Sequence, residues 1–85
     1  NKEYVMNRYF FLKSGTLKKI SGIKNIKKKK YLKKIDFNYK IGQKIPTIGS
    51  HKDRGGVFVV TAKNLKLAKR RVEEVYSKIK FVIRS

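Results

Sequence analysis

The spacing of apolar positions along the chain changes several times, and each change marks an element. Residues 4–12, YVMNRYFFL, form a mostly apolar run rich in aromatic and β-branched side chains, which predicts a buried strand. Lys13, Ser14 and Gly15 supply a turn, and Thr16 to Ile20 resume as a short strand, so this segment reads as a hairpin. From Ser21 the spacing becomes helical, with Ile20, Ile23 and Ile26 falling three apart. Ser21 is placed to cap this short helix, and the lysines from Lys27 onward suit its negative C-terminal end. Tyr31 to Tyr39 alternates around Ile35, Phe37 and Tyr39, the pattern of a half-buried strand. Lys40 to Lys44 reads as a turn pivoting on Gly42, and residues 46–56 as a loop holding Gly49, Gly55, Gly56 and His51.

Val57 to Ala62, VFVVTA, is a short continuous apolar run and the clearest strand in the chain. The best helix follows, because Leu65, Ala68, Val72, Val75 and Ile79 recur at alternating steps of three and four. Asn64 stands at its N-cap, and Lys78 and Lys80 sit near its negative end. Phe81 to Ile83 closes the chain as a final strand. The predicted class is α+β: a small β-β-α-β-β-α-β domain with an antiparallel or mixed sheet and one main amphipathic helix over about 65–79.

Length and composition narrow the function more than the fold. Eighty-five residues make one domain, 1–85, whose folding buries little more than ~60% of the extended chain's surface. Forty per cent apolar residues are enough for a packed core despite a net charge of +19. The absence of cysteine rules out a disulfide scaffold and a cysteine nucleophile, and a single histidine leaves no zinc site of ordinary composition. No apolar run approaches the ~20 residues of a membrane span, and no leader pattern opens the chain. The start at Asn1 rather than Met leads us to expect a piece of a longer protein.

The charge has two readings. Seven lysines lie between Lys24 and Lys34, so Lys27, Lys28, Lys29, Lys30, Lys33 and Lys34 are candidates for a nucleic-acid face of ribosomal-protein type. The competing reading is the drift of an AT-rich genome toward lysine on a solvated surface. Nineteen lysines against 5 arginines fit that bias, and arginine is the better group for bidentate phosphate contacts. A membrane-surface patch is disfavoured, because the polar face of the main helix mixes acids with bases.

The catalytic inventory is poor. Glu73 and Glu74 are neighbours on a helix, so they diverge and read as solvent-facing partners for nearby cations. No phosphate-cradling glycine motif and no helix-turn-helix, RRM or KH signature is present. The exception is His51-Lys52-Asp53-Arg54-Gly55-Gly56, where backbone amides, Arg54 and His51 could meet an anion. The alternative is that the glycines are there for backbone reasons.

The order of motifs says more than any one of them. SGTLKKISGI, a basic helix, an alternating strand, YKIGQKIP and DRGGVFVVTAKNLKLAKRRVEEVYSKIKFVI together resemble the C-terminal region of ATP-grasp enzymes, in the carbamoyl-phosphate-synthase-like and L-amino-acid-ligase branch. The corresponding features here are Gly15-Thr16-Leu17, Gly22-Ile23, Lys40 to Pro46, Asp53 to Gly56, Asn64 with Ala68, and Lys78-Ile79. The chain departs from the pattern at Lys66 and Leu67, where acids are common after the helix cap. The resemblance implies a cytoplasmic parent that binds ATP and Mg²⁺ upstream, activates a small-molecule carboxylate as an acyl phosphate and passes it to an amine. It implies no cofactor in this segment, which would close over the upstream ATP-grasp domains and present Arg54, with His51 nearby, toward the substrate.

Overall fold

The computed structural model describes residues 3–46 and 53–84. The most apolar run becomes the centre of the architecture. It is part of strand β5 (Asp53–Ala62), flanked on one side by β1 (Tyr4–Leu12) and on the other by β3 (Leu32–Phe37), both antiparallel to it. A second antiparallel sheet of three strands has the order β4 (Lys44–Ile45), β2 (Gly15–Ser21), β6 (Lys80–Arg84). Helix α1 (Ile23–Lys27) follows β2, and α2 (Leu65–Lys78) joins β5 to β6 and packs on β5, β1 and α1. The α+β class stands, with both sheets antiparallel.

The expected hairpin does not form. β1 pairs with β5 from Tyr4 opposite Ala62 to Leu12 opposite Asp53, while β2 pairs with β4 and β6. The 9 residues of β1 make a longer ladder with the 10 of β5 than the 7 of β2 would allow. That pairing also sets Phe10 beside Phe58. β1 is therefore an edge strand with one buried face, not a fully buried one; Val5 and Phe11 remain exposed.

The residues read as a loop before Val57 are partly strand, since β5 already starts at Asp53. Gly55 and Gly56 are buried inside it for steric reasons. A Cβ at Gly56 would strike the Asp36 carbonyl oxygen and approach Phe37 Cα to 3.2 Å, and one at Gly55 would strike the Leu12 side chain. Ile45, fully buried in the two-residue β4, had no periodic signal because two residues have no period.

Ser21 does not cap α1. It ends β2 opposite Lys80, and Gly22 takes the cap position at φ 89° with no side-chain hydrogen bond. In α2 the expected cap is present: Asn64 Oδ1 accepts from the Leu67 amide at 2.8 Å. Ala68, Val72 and Val75 form its buried face and Ile79 follows at the C-cap, whereas Leu65 is 45% exposed, so the packed face starts one turn later than the spacing implied. An Asn64→Ala variant is expected to lose about 1 kcal/mol, read from the urea unfolding midpoint at unchanged m-value.

The core has two parts. Phe10, Ile26, Phe58, Val60, Val72, Val75 and Ile79 form the larger cluster, and Leu12, Leu17 and Ile45 the smaller. Ile20 and Phe81 pack against both, which ties the second sheet to the first.

Candidate functional site

Arg54 lies on β5 opposite Phe11, just past the irregularity in the β1 ladder between Phe10 and Phe11. His51 lies outside the described residues. Lys27 closes the last turn of α1, and Lys28, Lys29 and Lys30 follow it, all exposed. Lys33 and Lys34 are consecutive exposed residues on β3, where the ladder to β5 shifts register between Leu32 and Lys34. Two of these six lysines have acidic neighbours: Lys29 Nζ is 3.9 Å from Glu74 Oε2, and Lys34 Nζ is 3.6 Å from Asp36 Oδ2. Pairs this exposed contribute little to stability, and they lower the charge offered to a polyanion.

The two glutamates of α2 have separate roles. Glu73 is exposed, but Glu74 is half-buried and its Oε1 accepts a hydrogen bond from the Tyr31 hydroxyl. The Arg71 guanidinium lies 4.8 Å from the centre of the Tyr31 ring, and its Nη1 donates to the Thr61 carbonyl at 2.6 Å. The segment between α1 and β3 is thus fastened to α2 and to the end of β5. Tyr31 and Glu74 are 43 positions apart, so no local pattern could have announced the contact.

Burial raises the Tyr31 phenol well above its ordinary value, the hydrogen bond to the Glu74 carboxylate and its charge raise it further, and Arg71 opposes. Burial also raises Tyr76, with Arg8 opposing. A phenol raised in the folded state favours the protonated form there. Its contribution to stability is full below the unfolded value near ~10 and is lost as pH climbs through the folded one. In an absorbance titration, Tyr31→Phe and Tyr76→Phe are each expected to remove a step that lies above the ordinary phenol range. A curve above that range left unchanged by both substitutions would contradict this.

Two of the concave surfaces among the described residues lie against α2. A cleft of about 390 Å³ between α1 and α2 has Ile26 among its lining residues, with Lys28, Lys29, Lys78, Glu74 and Asn25 around it. A groove of about 410 Å³ runs beside Leu12, Tyr76, Ile79 and Phe81, with Lys13 and Lys80 also lining it. Neither brings a nucleophile to a general base. Among the described residues no three of His, Cys, Asp and Glu gather where they could hold a metal ion. What the surfaces offer is positive charge beside apolar area.

The fold has a solved counterpart. The crystal structure of an L-amino acid ligase from Bacillus licheniformis superposes with a TM-score of 0.78 at 17% identity, over 95% of this chain and 20% of that one. The chain therefore spans about a fifth of the crystallised ligase's length and shares its fold. No curated protein matches the sequence. The family model described as L-amino acid ligase C-terminal domain 2 matches residues 8–84, nearly the whole chain. That match and the ordered motifs agree, and the chain belongs to the L-amino acid ligase C-terminal domain 2 family.

Proposed function

We propose that this chain is the C-terminal closing domain, residues 1–85, of a larger cytoplasmic ATP-grasp ligase that joins a carboxylate to an amine. The family match over residues 8–84 carries this reading. In it, ATP and Mg²⁺ belong to the upstream domains of the parent. The described residues of this chain form no carboxylate cluster suited to the ion, so no step of that chemistry is assigned to them. Their part is to close the site and exclude water, with Arg54 of β5 facing the negative charge of the substrate and His51, three positions earlier in the sequence, as a second ligand-binding residue. A guanidinium placed where charge develops stabilises it most in a site shielded from water. No feature of the lysine-rich segment favours nucleic acid over this reading.

The test uses the full-length protein. Release of inorganic phosphate from ATP is expected to depend on added L-amino acids, and release that ignores them would overturn the ligase reading. Arg54→Ala is expected to lower kcat/KM by about tenfold or more. Unchanged kcat and KM would remove Arg54 from the substrate side.

A further inference from the structure

The groove at the end of α2 has walls that the core holds in place. Leu12 and Ile79 are its most buried lining residues, and three rings stand around it: Phe11 of β1, Tyr76 of α2 and Phe81 of β6. The Tyr76 ring meets Phe10 and Phe58 edge-on at 5.9 and 5.2 Å, and its hydroxyl donates to the Tyr9 carbonyl at 2.7 Å. Phe81 is fixed in the same way, by Phe10 at 5.3 Å and Phe37 at 5.9 Å. Walls already ordered by the fold cost a ligand little side-chain entropy. Phe11 and Tyr76 nevertheless keep 54% and 41% of their surface exposed. The hollow they border, about 410 Å³, falls within the ~300–1,000 Å³ of small-ligand sites. Its charge has one sign. Lys13, which follows β1, and Lys80, which opens β6, both line it, and no carboxylate does. Both lysines are exposed, and among the described residues neither has an acidic partner, unlike Lys29 and Lys34.

We propose that this groove binds a small aromatic carboxylate that carries no amino group. Three rings around one hollow offer edge and face contacts to a fourth, and they remove its apolar surface from water. The acid group of the ligand then meets an unpaired ammonium, Lys13 or Lys80, at the rim. An α-amino acid is a poorer occupant. Its own ammonium would lie beside two like charges, with no acid in the lining to receive it. The proposal therefore stands apart from the ligase reading, whose amino acids carry the group that this groove disfavours.

Methyl NMR of the full-length protein, labelled at isoleucine, tests this with phenylacetate as the probe. The Ile79 and Ile83 signals are expected to move saturably, with a Kd of about 1 mM or tighter. Ile23 and Ile26 of α1, which do not line the groove, should stay in place. L-Phenylalanine and phenylethanol supply the same ring, the first with an added ammonium and the second without charge. Each is expected to move the two groove signals with about fivefold weaker affinity. A Lys13→Gln/Lys80→Gln variant should weaken phenylacetate about tenfold and leave phenylethanol unchanged. Both substitutions are exposed, and unshifted Ile23 and Ile26 signals in the variant report that the fold is kept. Groove signals that ignore phenylacetate would overturn the proposal, and this is the result if a segment of another domain fills the hollow. Equal affinity for the acid, the amino acid and the alcohol would also overturn it, as would unchanged phenylacetate binding in the double variant. Amino-acid-dependent phosphate release, measured separately, decides the ligase reading and leaves this result untouched.

Discussion

Replacing Gly22 with alanine is expected to cost more than ~3 kcal/mol of folding stability, because two penalties fall on one residue. Its φ of 89° is a left-handed conformation that costs an L side chain about 1–2 kcal/mol. The new Cβ would also collide with the Lys78 carbonyl oxygen and come within 2.7 Å of the carbonyl carbon. Both obstacles are backbone at the end of α2, so no rotamer change clears them. Shifting Gly22 away would disturb its carbonyl, which accepts the Ile26 amide at 3.1 Å and starts α1. Gly42 is the internal control: its φ is 92°, and nothing lies within 4 Å of its Cβ position. Gly42→Ala should therefore cost only the conformational part, about 1–2 kcal/mol. Urea unfolding of both variants decides the matter, and equal losses would show that the approach of α1 to α2 is not what demands glycine.

Phe10→Ala is expected to remove about 3–5 kcal/mol. Phe10 is 3% exposed, and its ring meets rings from four other elements. Phe58 of β5 lies at 5.0 Å, Phe81 of β6 at 5.3 Å, Phe37 of β3 at 5.6 Å and Tyr76 of α2 at 5.9 Å between centroids. Deleting it opens a cavity where both sheets and the main helix meet. None of the neighbours can close the gap without leaving another partner. In a domain of this size the loss is a large share of a total of roughly 4–13 kcal/mol. Val5→Ala, on the same strand but exposed, should stay within about 0.5 kcal/mol. A Phe10→Ala loss as small as that of Val5→Ala would mean that the two sheets are held together elsewhere.

The binding readings were only partly legible in the residues themselves. Arg54 and His51 were singled out by a short glycine-containing segment and given a role by the resemblance. The two glycines that drew attention to them are explained by the close approach of Asp36, Phe37 and Leu12. The lysine run was conspicuous in the sequence, yet its spacing could not show that Lys29 would find Glu74 on a distant helix. VFVVTA announces burial on both sides but is silent about which side the domain itself covers.

The sequence by itself determined what local physics can encode. The spacing of Ala68, Val72 and Val75 produces α2, Asn64 caps it, and the apolar run from Val57 produces the core of β5. Each of these depends on neighbours within a few positions, and the order of such elements was enough to reach the family. Only the tertiary structure decided that β1 leaves β2 for β5, that Gly22 rather than Ser21 starts α1, and that Tyr31 is tied to Glu74. Those outcomes depend on which distant surfaces bury each other best. Strand pairing and close backbone approach are settled by that competition across the whole chain, and no window of neighbouring residues contains it.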